Sequence, residues 1–284
     1  MAYDGSIGST FYQNTPWFAS EKIVSLKLKH HALDRHIAMF LCRLIHNQKN
    51  KYSYGYKWSV GLRMNRGKIL LPVTDGGAPD FEYMAAYVRN IEEHILQRYR
   101  EFISIVPPPK KIQSLNEKLW REFFIGELFR LEAGKSKGLT HLAADERGIS
   151  YLGATNRNNA VLSFVRPVED LIQRGNCIAF IRNGEGSIGY SVYKREDFIV
   201  TSDITCGYAD FLNEFVGLFI TTIADKVRGK YNFNYKRSDS RLKREKIQLP
   251  VTDDGAPDFA YMAAYAKNLV AEQYRRYLAY IDGE

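Results

Sequence analysis

The chain has 284 residues, of which 45% are apolar and 25% are charged. These proportions indicate a globular protein of about two domains and exclude collagen-like, coiled-coil-only and wholly disordered chains. Forty Lys and Arg against 32 Asp and Glu leave a formal net charge of +8, which favours a polyanionic partner.

The cysteines and the hydropathy pattern bear on the compartment. Cys42, Cys177 and Cys206 form no CxxC pair, so the sequence supports neither a disulfide framework nor a tetrathiolate zinc site. The longest apolar stretch, residues 215–224, is about half the length that spans a bilayer, and the N-terminus has no signal pattern. We expect a soluble, cytoplasmic protein without a cofactor.

One long segment of the sequence occurs twice. Residues 72–87 (PVTDGGAPDFEYMAAY) return as residues 250–265 (PVTDDGAPDFAYMAAY) with two of sixteen positions changed, at a period of 178 residues. Two shorter pairs occur upstream in the same order: KYSYGYK at 51–57 with KYNFNYK at 230–236, and GSIGSTFY at 5–12 with GSIGYSVY at 186–193. A period this long indicates two homologous modules, because solenoid repeats have periods of roughly 20 to 50 residues.

The two modules differ in length. Residues 112–185 precede the shared part of the second module, and nothing like them precedes Gly5. The first module therefore lacks the front half that the second module has. We expect that the sequence is a fragment of a longer chain; the alternative is that another polypeptide supplies the missing half, for instance through self-association.

Each module ends in an extended Leu-Pro-Val segment, a Gly/Asp/Pro turn and a long helix that begins after an N-cap aspartate, Asp80 or Asp258. Mostly apolar side chains recur along both helices at steps of three and four residues, which predicts a coiled-coil seam. The seam positions are Phe81, Met84, Val88, Ile91, Ile95, Tyr99 and Phe102, and then Phe259, Met262, Ala266, Leu269, Gln273, Tyr277 and Tyr280. Residues 107–109, three prolines, should end the first helix.

Between these landmarks, the second module has the pattern of short strands and turns. Strands are predicted at 177–181 (CIAFI), at 191–193 (SVY) and at 198–203 (FIVTSD), with one helix around 211–227. The modules are therefore of mixed α and β structure. The predicted divisions are a partial first domain at 1–78, a helix and connector at 79–111, a second domain at 112–256 and a second helix at 257–284.

Five motifs follow one another along the second module. They are WREFFIGELFRLEAGKS at 120–136, YLGATNRNN at 151–159, NGEGSIGYSVY at 183–193, KYNFNYK at 230–236 and LPVTDDGAPDFAYM at 249–262. With these motifs, nearly the whole chain resembles the DNA-specificity subunits of type I restriction-modification systems and of related multisubunit type II enzymes.

The resemblance implies an α+β fold in which two mixed α/β target-recognition domains, here with a partial first one, are separated by two long antiparallel coiled-coil helices. Each domain would recognise one half of a split site in double-stranded DNA. Methyltransferase subunits, and in some systems nuclease subunits, would be the partners that act on the DNA.

Basic side chains are concentrated at matching points of the two modules. Residues 49–68 hold six Lys or Arg and no acidic residue, and residues 226–246 hold nine against two acidic residues. Such clusters neutralise phosphates, and the interleaved aromatic side chains can stack beside them. The alternative is a solvated basic face whose aromatic side chains pack inward.

Candidate base-reading residues are Asn, Arg and Lys side chains on loops, because these match the adenine and guanine edges in the major groove. They are Arg157, Asn158, Asn159, Arg182, Lys194 and Arg195 in the second module, and Lys57, Arg63 and Arg66 in the first. Lys51, Lys230, Lys236 and Arg237 complete the predicted DNA-binding set. Any of them can instead contact phosphate or hold a turn, and the adjacent asparagines can simply cap one.

The sequence contains no catalytic constellation. Gly134-Lys135-Ser136 lacks the glycine that a phosphate loop needs five residues earlier, where Phe129 stands. No Asn-Pro-Pro-Tyr-type methyltransferase segment occurs, and neither Pro-Asp pair is followed by the Glu-x-Lys of a nuclease core. We therefore predict a non-catalytic specificity subunit. The alternatives are a coiled-coil scaffolding protein with non-specific DNA binding and an enzyme with an unfamiliar site.

Overall fold

The computed structural model describes residues 1–53, 55–106, 112–184, 186–232 and 234–283. It divides the chain into two compact units, Met1–Ile105 and Val106–Glu284, which we call unit 1 and unit 2. The finer domain boundaries given above stay a prediction, and the prolines expected to end the first helix lie outside the described residues. In these ranges, no helix has a stretch long and apolar enough to cross a membrane.

The regular secondary structure of unit 1 is mainly helical in the described residues, and long irregular stretches connect the helices. Its helices are α1 (Arg35–Asn47), α2 (Arg63–Arg66) and α3 (Phe81–Ile105). The carboxylate of Asp34 caps α1 by accepting a hydrogen bond from the Ile37 N–H at 2.9 Å, and α1 packs against α3. The described β structure of this unit consists of isolated bridges such as Ser53 with Tyr56.

Unit 2 has the mixed α and β structure that the sequence predicts. Its strands are β1 (Trp120–Phe124), β2 (Arg130–Ala133), β3 (Ala144–Leu152), β4 (Val161–Val165), β5 (Ile172–Gln173), β6 (Cys177–Ile181), β7 (Ser191–Lys194), β8 (Phe198–Val200), β9 (Ile204–Tyr208) and β10 (Lys246–Pro250). Its helices are α4 (Ile125–Leu128), α5 (Glu214–Ala224), α6 (Asp239–Lys243) and α7 (Phe259–Asp282). The strands predicted at CIAFI and SVY are present. The strand predicted at 198–203 is present only as Phe198–Val200, because a turn follows it, and the helix predicted around 211–227 is α5, Glu214–Ala224.

Three sheets organise unit 2. One sheet has the order β2-β9-β6-β7 and is antiparallel throughout; a second has the order β4-β3-β8-β5 with β3 and β8 parallel. The third is the pair of β1 and β10, which lie more than a hundred residues apart in sequence and are antiparallel. Helix α5 packs against both β10 and α7, so the main apolar core lies between the sheets and these two helices.

The long helices begin where the sequence predicts. The Asp80 carboxylate accepts a hydrogen bond from the Tyr83 N–H at 2.8 Å, and the Asp258 carboxylate accepts one from the Tyr261 N–H at 2.9 Å. Each aspartate therefore satisfies an amide that the first helical turn leaves free.

The predicted seam is only partly buried. Met84, Met262 and Ala266 are buried, but Ile91 and Leu269 are each 43% exposed. Met262 and Ala266 belong to the apolar core of unit 2, which they share with residues of α5 and β10. Their spacing thus reflects packing inside their own unit, and the pairing of the two long helices stays a prediction.

The sequence repeat is also a structural repeat. Helix α1 packs against α3 in unit 1 as α5 packs against α7 in unit 2. Gly8 and Gly189, at equivalent positions, have φ angles of +81° and +91°. A Cβ atom on either glycine would lie within 3 Å of Lys49 or Arg228, respectively. Both modules therefore use glycine where a loop approaches a short 3-10 helix, which is Gln48–Lys51 in unit 1 and Asp225–Lys230 in unit 2.

Candidate nucleic-acid interface

The KYNFNYK segment of unit 2 forms an aromatic and cationic stack. The rings of Tyr231 and Tyr235 lie 6.0 Å apart and nearly parallel, and the Arg241 guanidinium lies 3.8 Å from the centroid of the Tyr235 ring. Arg241 also donates a hydrogen bond to the Lys236 carbonyl at 2.7 Å. The Asn232 side chain accepts a hydrogen bond from the Tyr235 N–H at 2.9 Å, which closes the turn. These contacts fix the positions of Tyr231, Asn232, Tyr235 and Lys236.

Unit 1 contains the same stack. The Tyr52 and Tyr56 rings lie 6.1 Å apart, and the Arg63 guanidinium lies 3.8 Å from the Tyr56 centroid while donating to the Lys57 carbonyl at 2.8 Å. Arg63 and Arg241 are thus equivalent residues. Of these two residues, only Arg63 is among the predicted DNA-binding residues, although the position of Arg63 after KYSYGYK, transferred to unit 2, indicates Arg241.

A polar loop of unit 2 is joined to the turn between β6 and β7. The Ser187 hydroxyl donates to the Ala154 carbonyl at 2.9 Å, and the Asn156 side chain donates to the Gly186 carbonyl at 3.4 Å. The next residues of this loop, Arg157, Asn158 and Asn159, are all exposed. Asn158 and Asn159 have φ angles of +50° and +51°, which are conformations that asparagine tolerates better than most residues.

Two further cationic residues lie beside this turn. Arg228 donates a hydrogen bond to the Tyr190 hydroxyl, and its guanidinium lies 4.9 Å from the centroid of that ring. The exposed Lys230 follows two residues later. We call Arg157, Asn158, Asn159, Arg228 and Lys230 the loop end of unit 2. Arg228 was not among the predicted residues, although it lies within the basic run at 226–246.

Arg195 lies away from the loop end. In the antiparallel pair of β6 and β7, Cys177 is opposite Lys194, whereas the turn of the hairpin follows Ile181. The exposed Arg195 comes directly after Lys194, and its carbonyl accepts a hydrogen bond from the Asn176 N–H at 3.2 Å. The hairpin therefore separates Arg195 from the asparagines by the length of its strands.

Arg182 is mainly a structural residue. It donates to the Ser202 carbonyl at 2.6 Å and forms an ion pair with Asp239 at 3.2 Å, and its side chain is 17% exposed. These contacts tie the end of β6 to the segment before β9 and to the start of α6. Little of the guanidinium remains available to a ligand.

Lys194 and Arg237 do not fit the predicted DNA-binding role. The Lys194 ammonium is buried and donates hydrogen bonds to Ser150 and Glu196. The Arg237 side chain is completely buried and binds Glu245 through two nitrogens, with Nε donating to Oε2 at 3.0 Å. Neither charge reaches the surface, so we remove both residues from the candidate set.

Buried groups surround the Arg237 pair. A third guanidinium nitrogen donates to the Gly189 carbonyl at 3.3 Å, and the Tyr231 hydroxyl donates to the Glu245 carboxylate at 2.5 Å. Burial and the neighbouring carboxylate raise the pKa of Tyr231 above its ordinary value. Arg237 thus anchors the aromatic stack to the turn that carries Gly189.

The remaining predicted residues lie at or near the surface. Lys51, Arg66, Lys230 and Lys236 are exposed. Lys57 is half-buried and forms an ion pair with Asp4 at 2.9 Å, and this hydrogen bond lowers the pKa of the Asp4 carboxyl. The basic windows of both units therefore combine exposed ammonium groups with a fixed aromatic stack.

Comparison with known proteins gives a consistent result. Residues 1–98 and 117–275 match the family described as "Type I restriction modification DNA specificity domain". The chain is also 27% identical over 263 residues to a protein of Heyndrickxia coagulans described as the type II restriction enzyme BgcI specificity subunit S.BcgI. That alignment covers 90% of this chain and 72% of the relative.

The solved structures to which this chain is similar include two S subunits. The type I restriction-modification S subunit from M. genitalium has a TM-score of 0.42 at 13% identity, and the alignment covers 88% of this chain and 70% of that subunit. The HsdS subunit from Thermoanaerobacter tengcongensis has a TM-score of 0.40 at 14% identity, with 85% and 63% covered. Because the family match spans most of the sequence, the chain belongs to the type I restriction modification DNA specificity domain family.

Proposed function

We propose that this chain is a sequence-specific DNA-binding specificity subunit of a restriction-modification system and that it is not itself catalytic. The observation that carries the proposal is the loop end of unit 2, where exposed amide and guanidinium groups lie on a loop fixed by hydrogen bonds to a hairpin turn. Family membership supports double-stranded DNA as the ligand of this surface.

The side chains of the loop end divide into two roles. Asn158 and Asn159 can form paired hydrogen bonds with adenine, and Arg157 can do so with guanine. Lys230 and the stacked Arg228 suit the phosphates, which position the protein without reading sequence. Lys51 and Arg66 would contact phosphates in the same way from unit 1.

The two units would recognise two different half-sites. Helix α3 has 25 residues and α7 has 24, and a helix of about 25 residues is about 38 Å long, close to the roughly 34 Å of one DNA turn. We propose that the two helices pair antiparallel and act as a spacer. The regions before the two helices differ between the units. The target should therefore be an asymmetric DNA sequence whose two half-sites are separated by base pairs that the protein does not recognise.

The repeated turns support a partner that binds twice. The Thr74 N–H donates to the Ala78 carbonyl at 2.8 Å, and the Thr252 N–H donates to the Ala256 carbonyl at 2.9 Å. The two turns are thus alike although the regions before them differ. Each turn would therefore suit one copy of the same methyltransferase subunit. That subunit and any nuclease subunit would perform the chemistry, and a DNA partner favours the cytoplasm as the location.

Selection from a random duplex library, in the presence of the partner methyltransferase, tests the proposal. We expect enrichment of a split motif, followed by abrupt loss of binding when one or two base pairs are inserted into its spacer. A library without enrichment would support the non-specific scaffold instead. Enrichment of a short contiguous site would contradict the spacer geometry.

A further inference from the structure

A short segment of unit 2 carries two exposed lysines that are not part of the loop end. Lys135 and Lys137 follow β2, in the Gly-Lys-Ser triplet and directly after it. Both lysines are exposed, whereas Ser136 between them is 1% exposed. Alternation of this kind is typical of an extended strand, in which residues two apart share one face. The two lysines therefore lie on the same face, and we call residues 135–137 the lysine segment.

The backbone of the lysine segment is held against the end of β8. The Ser136 N–H donates a hydrogen bond to the Val200 carbonyl at 3.2 Å, and the Ser202 N–H donates one to the Ser136 carbonyl at 3.1 Å. Ser136 and Thr201 consequently form a parallel bridge. A Cβ atom on Gly134 would lie 2.2 Å from the Thr201 carbonyl oxygen, so a larger residue would push the segment away from β8. The lysines thus extend from a backbone whose position is fixed.

The lysine segment lies at the same end of unit 2 as the loop end. On the opposite edge of β8, the Thr201 N–H donates a hydrogen bond to the Leu152 carbonyl at 3.2 Å. Leu152 is the last residue of β3, and the loop that carries Arg157 follows it. Ser136, Thr201 and Leu152 are thus on three adjacent strands, which places the lysine segment about 10 Å from the end of β3. The lysines therefore flank the loop of the two asparagines.

The acidic side chains near the lysine segment are engaged by other groups. Asp203 accepts a hydrogen bond from the Asn183 side chain at 2.9 Å, and Asp239 forms an ion pair with Arg182 at 3.2 Å. Among the described residues, no carboxylate lies within ion-pair distance of either lysine of the segment. A phosphate can therefore bind these ammonium groups without breaking an existing ion pair.

We propose that Lys135 and Lys137 contact the DNA phosphates that border the groove read by the loop end. The major groove of B-DNA is about 12 Å wide, which is similar to the distance of about 10 Å between the lysine segment and the end of β3. Cations at that distance from the loop suit the backbone of the duplex and carry no sequence information. The proposal rests on the proposed function, from which DNA is taken as the ligand.

The double variant Lys135→Gln with Lys137→Gln tests the proposal in the full chain. Two duplexes serve as probes, one with a random sequence and one with the motif enriched by selection. Two lost phosphate contacts should reduce the log-log salt slope by about 1.8 on both duplexes. Between 50 and 200 mM salt, the variant should then lose about twelvefold less affinity than the unchanged chain. Its preference for the enriched motif should remain, because phosphate contacts do not read bases.

The charge-matched control is the double variant Arg166→Gln with Arg174→Gln. Both arginines are exposed, and they follow the ends of β4 and β5. Those strands run antiparallel to their neighbours β3 and β8, so the two arginines lie at the other end of that sheet. The control removes the same net charge from unit 2 and should leave the salt slope unchanged. Neither double variant should change the melting temperature, because all four side chains are exposed.

Neutral methylphosphonate groups, placed one at a time along the enriched duplex, give a second readout. The positions that Lys135 and Lys137 contact should weaken binding of the unchanged chain but not of the lysine double variant. An unaltered salt slope, or an equal reduction in the arginine control, would overturn the proposal even if a motif is enriched. If selection enriches no motif, a reduced slope on the random duplex would support the phosphate contact while contradicting sequence-specific recognition.

Discussion

Replacing Glu245 by alanine should destabilise unit 2 strongly. The side chains of Arg237 and Glu245 are 0% and 3% exposed, and two hydrogen bonds join them. Without the carboxylate, the guanidinium keeps only the Gly189 carbonyl among its present acceptors, and the Tyr231 hydroxyl loses its acceptor. Breaking a buried ion pair from one side costs about 3–5 kcal/mol, because a charge is left without compensation.

Chemical and thermal denaturation of the full chain would measure this loss. For a domain the size of unit 2, 1 kcal/mol corresponds to roughly 2–4 °C, so we expect the melting transition of that unit to fall by about 6–20 °C. The double variant Arg237→Met with Glu245→Leu is the control and should lose much less stability than the alanine variant, because both charges are removed together. Unit 1 offers a precedent, since its equivalent residues are Trp58 and Gly67.

The same variants separate stability from DNA binding. At a temperature where the double variant is folded, the salt dependence of its DNA affinity should equal that of the unchanged chain, since Arg237 has no exposed surface. An alanine variant as stable as the parent, or a double variant with a reduced salt slope, would refute the reasoning.

Three further outcomes follow from the geometry. Lys51→Gln and Lys230→Gln should each reduce the log-log salt slope by about 0.9 per lost phosphate contact, with melting temperatures unchanged; an unaltered slope in both would remove these lysines from the interface. Asn159→Gly removes the side-chain amide, so it should lower discrimination at one base pair by about 1–3 kcal/mol, as binding to single-base variants of the target would show. Stability should be unchanged, because glycine readily adopts the φ angle of +51°. Burial alone would raise the pKa of the Asp258 carboxyl, but hydrogen bonds from Lys118 and the Tyr261 N–H outweigh it and lower the pKa. The resulting stability is present above the unfolded-state pKa and is lost as pH falls through the folded-state pKa, so Lys118→Met should make the stability of the protein depend less on pH below about pH 4. An identical acid transition in that variant would contradict this.

Local signals predicted the elements of the fold well. The strand at CIAFI and the N-caps at Asp80 and Asp258 depend on a few adjacent residues, and the structure confirms them. The seam spacing was harder to interpret, because the same three- and four-residue steps serve any apolar face. Met262 and Ala266 use it to pack within unit 2, while Leu269 remains exposed.

The errors in the candidate site have a non-local cause. In the sequence, a lysine or arginine within a basic run is indistinguishable from one on a solvated surface. Arg237 is buried because the fold brings Glu245 and Phe180 to it; the Phe180 ring centroid lies 5.1 Å from its guanidinium. The pairing of β1 with β10 likewise cannot be predicted from a short stretch of sequence, because the two strands are far apart along the chain. Arg241 could have been found from the repeat, since Arg63 had already been selected.

The repeated turn is also a place where two recognition regions can be joined in the laboratory. In each unit the aspartate N–H at the start of the long helix donates to the proline carbonyl before the turn, at 2.9 Å for Asp80 and 2.8 Å for Asp258. These bonds use backbone atoms and residues that both copies share. A chimeric chain joined at Pro250 would therefore have the same backbone geometry and the same helix start, whichever recognition region preceded the junction.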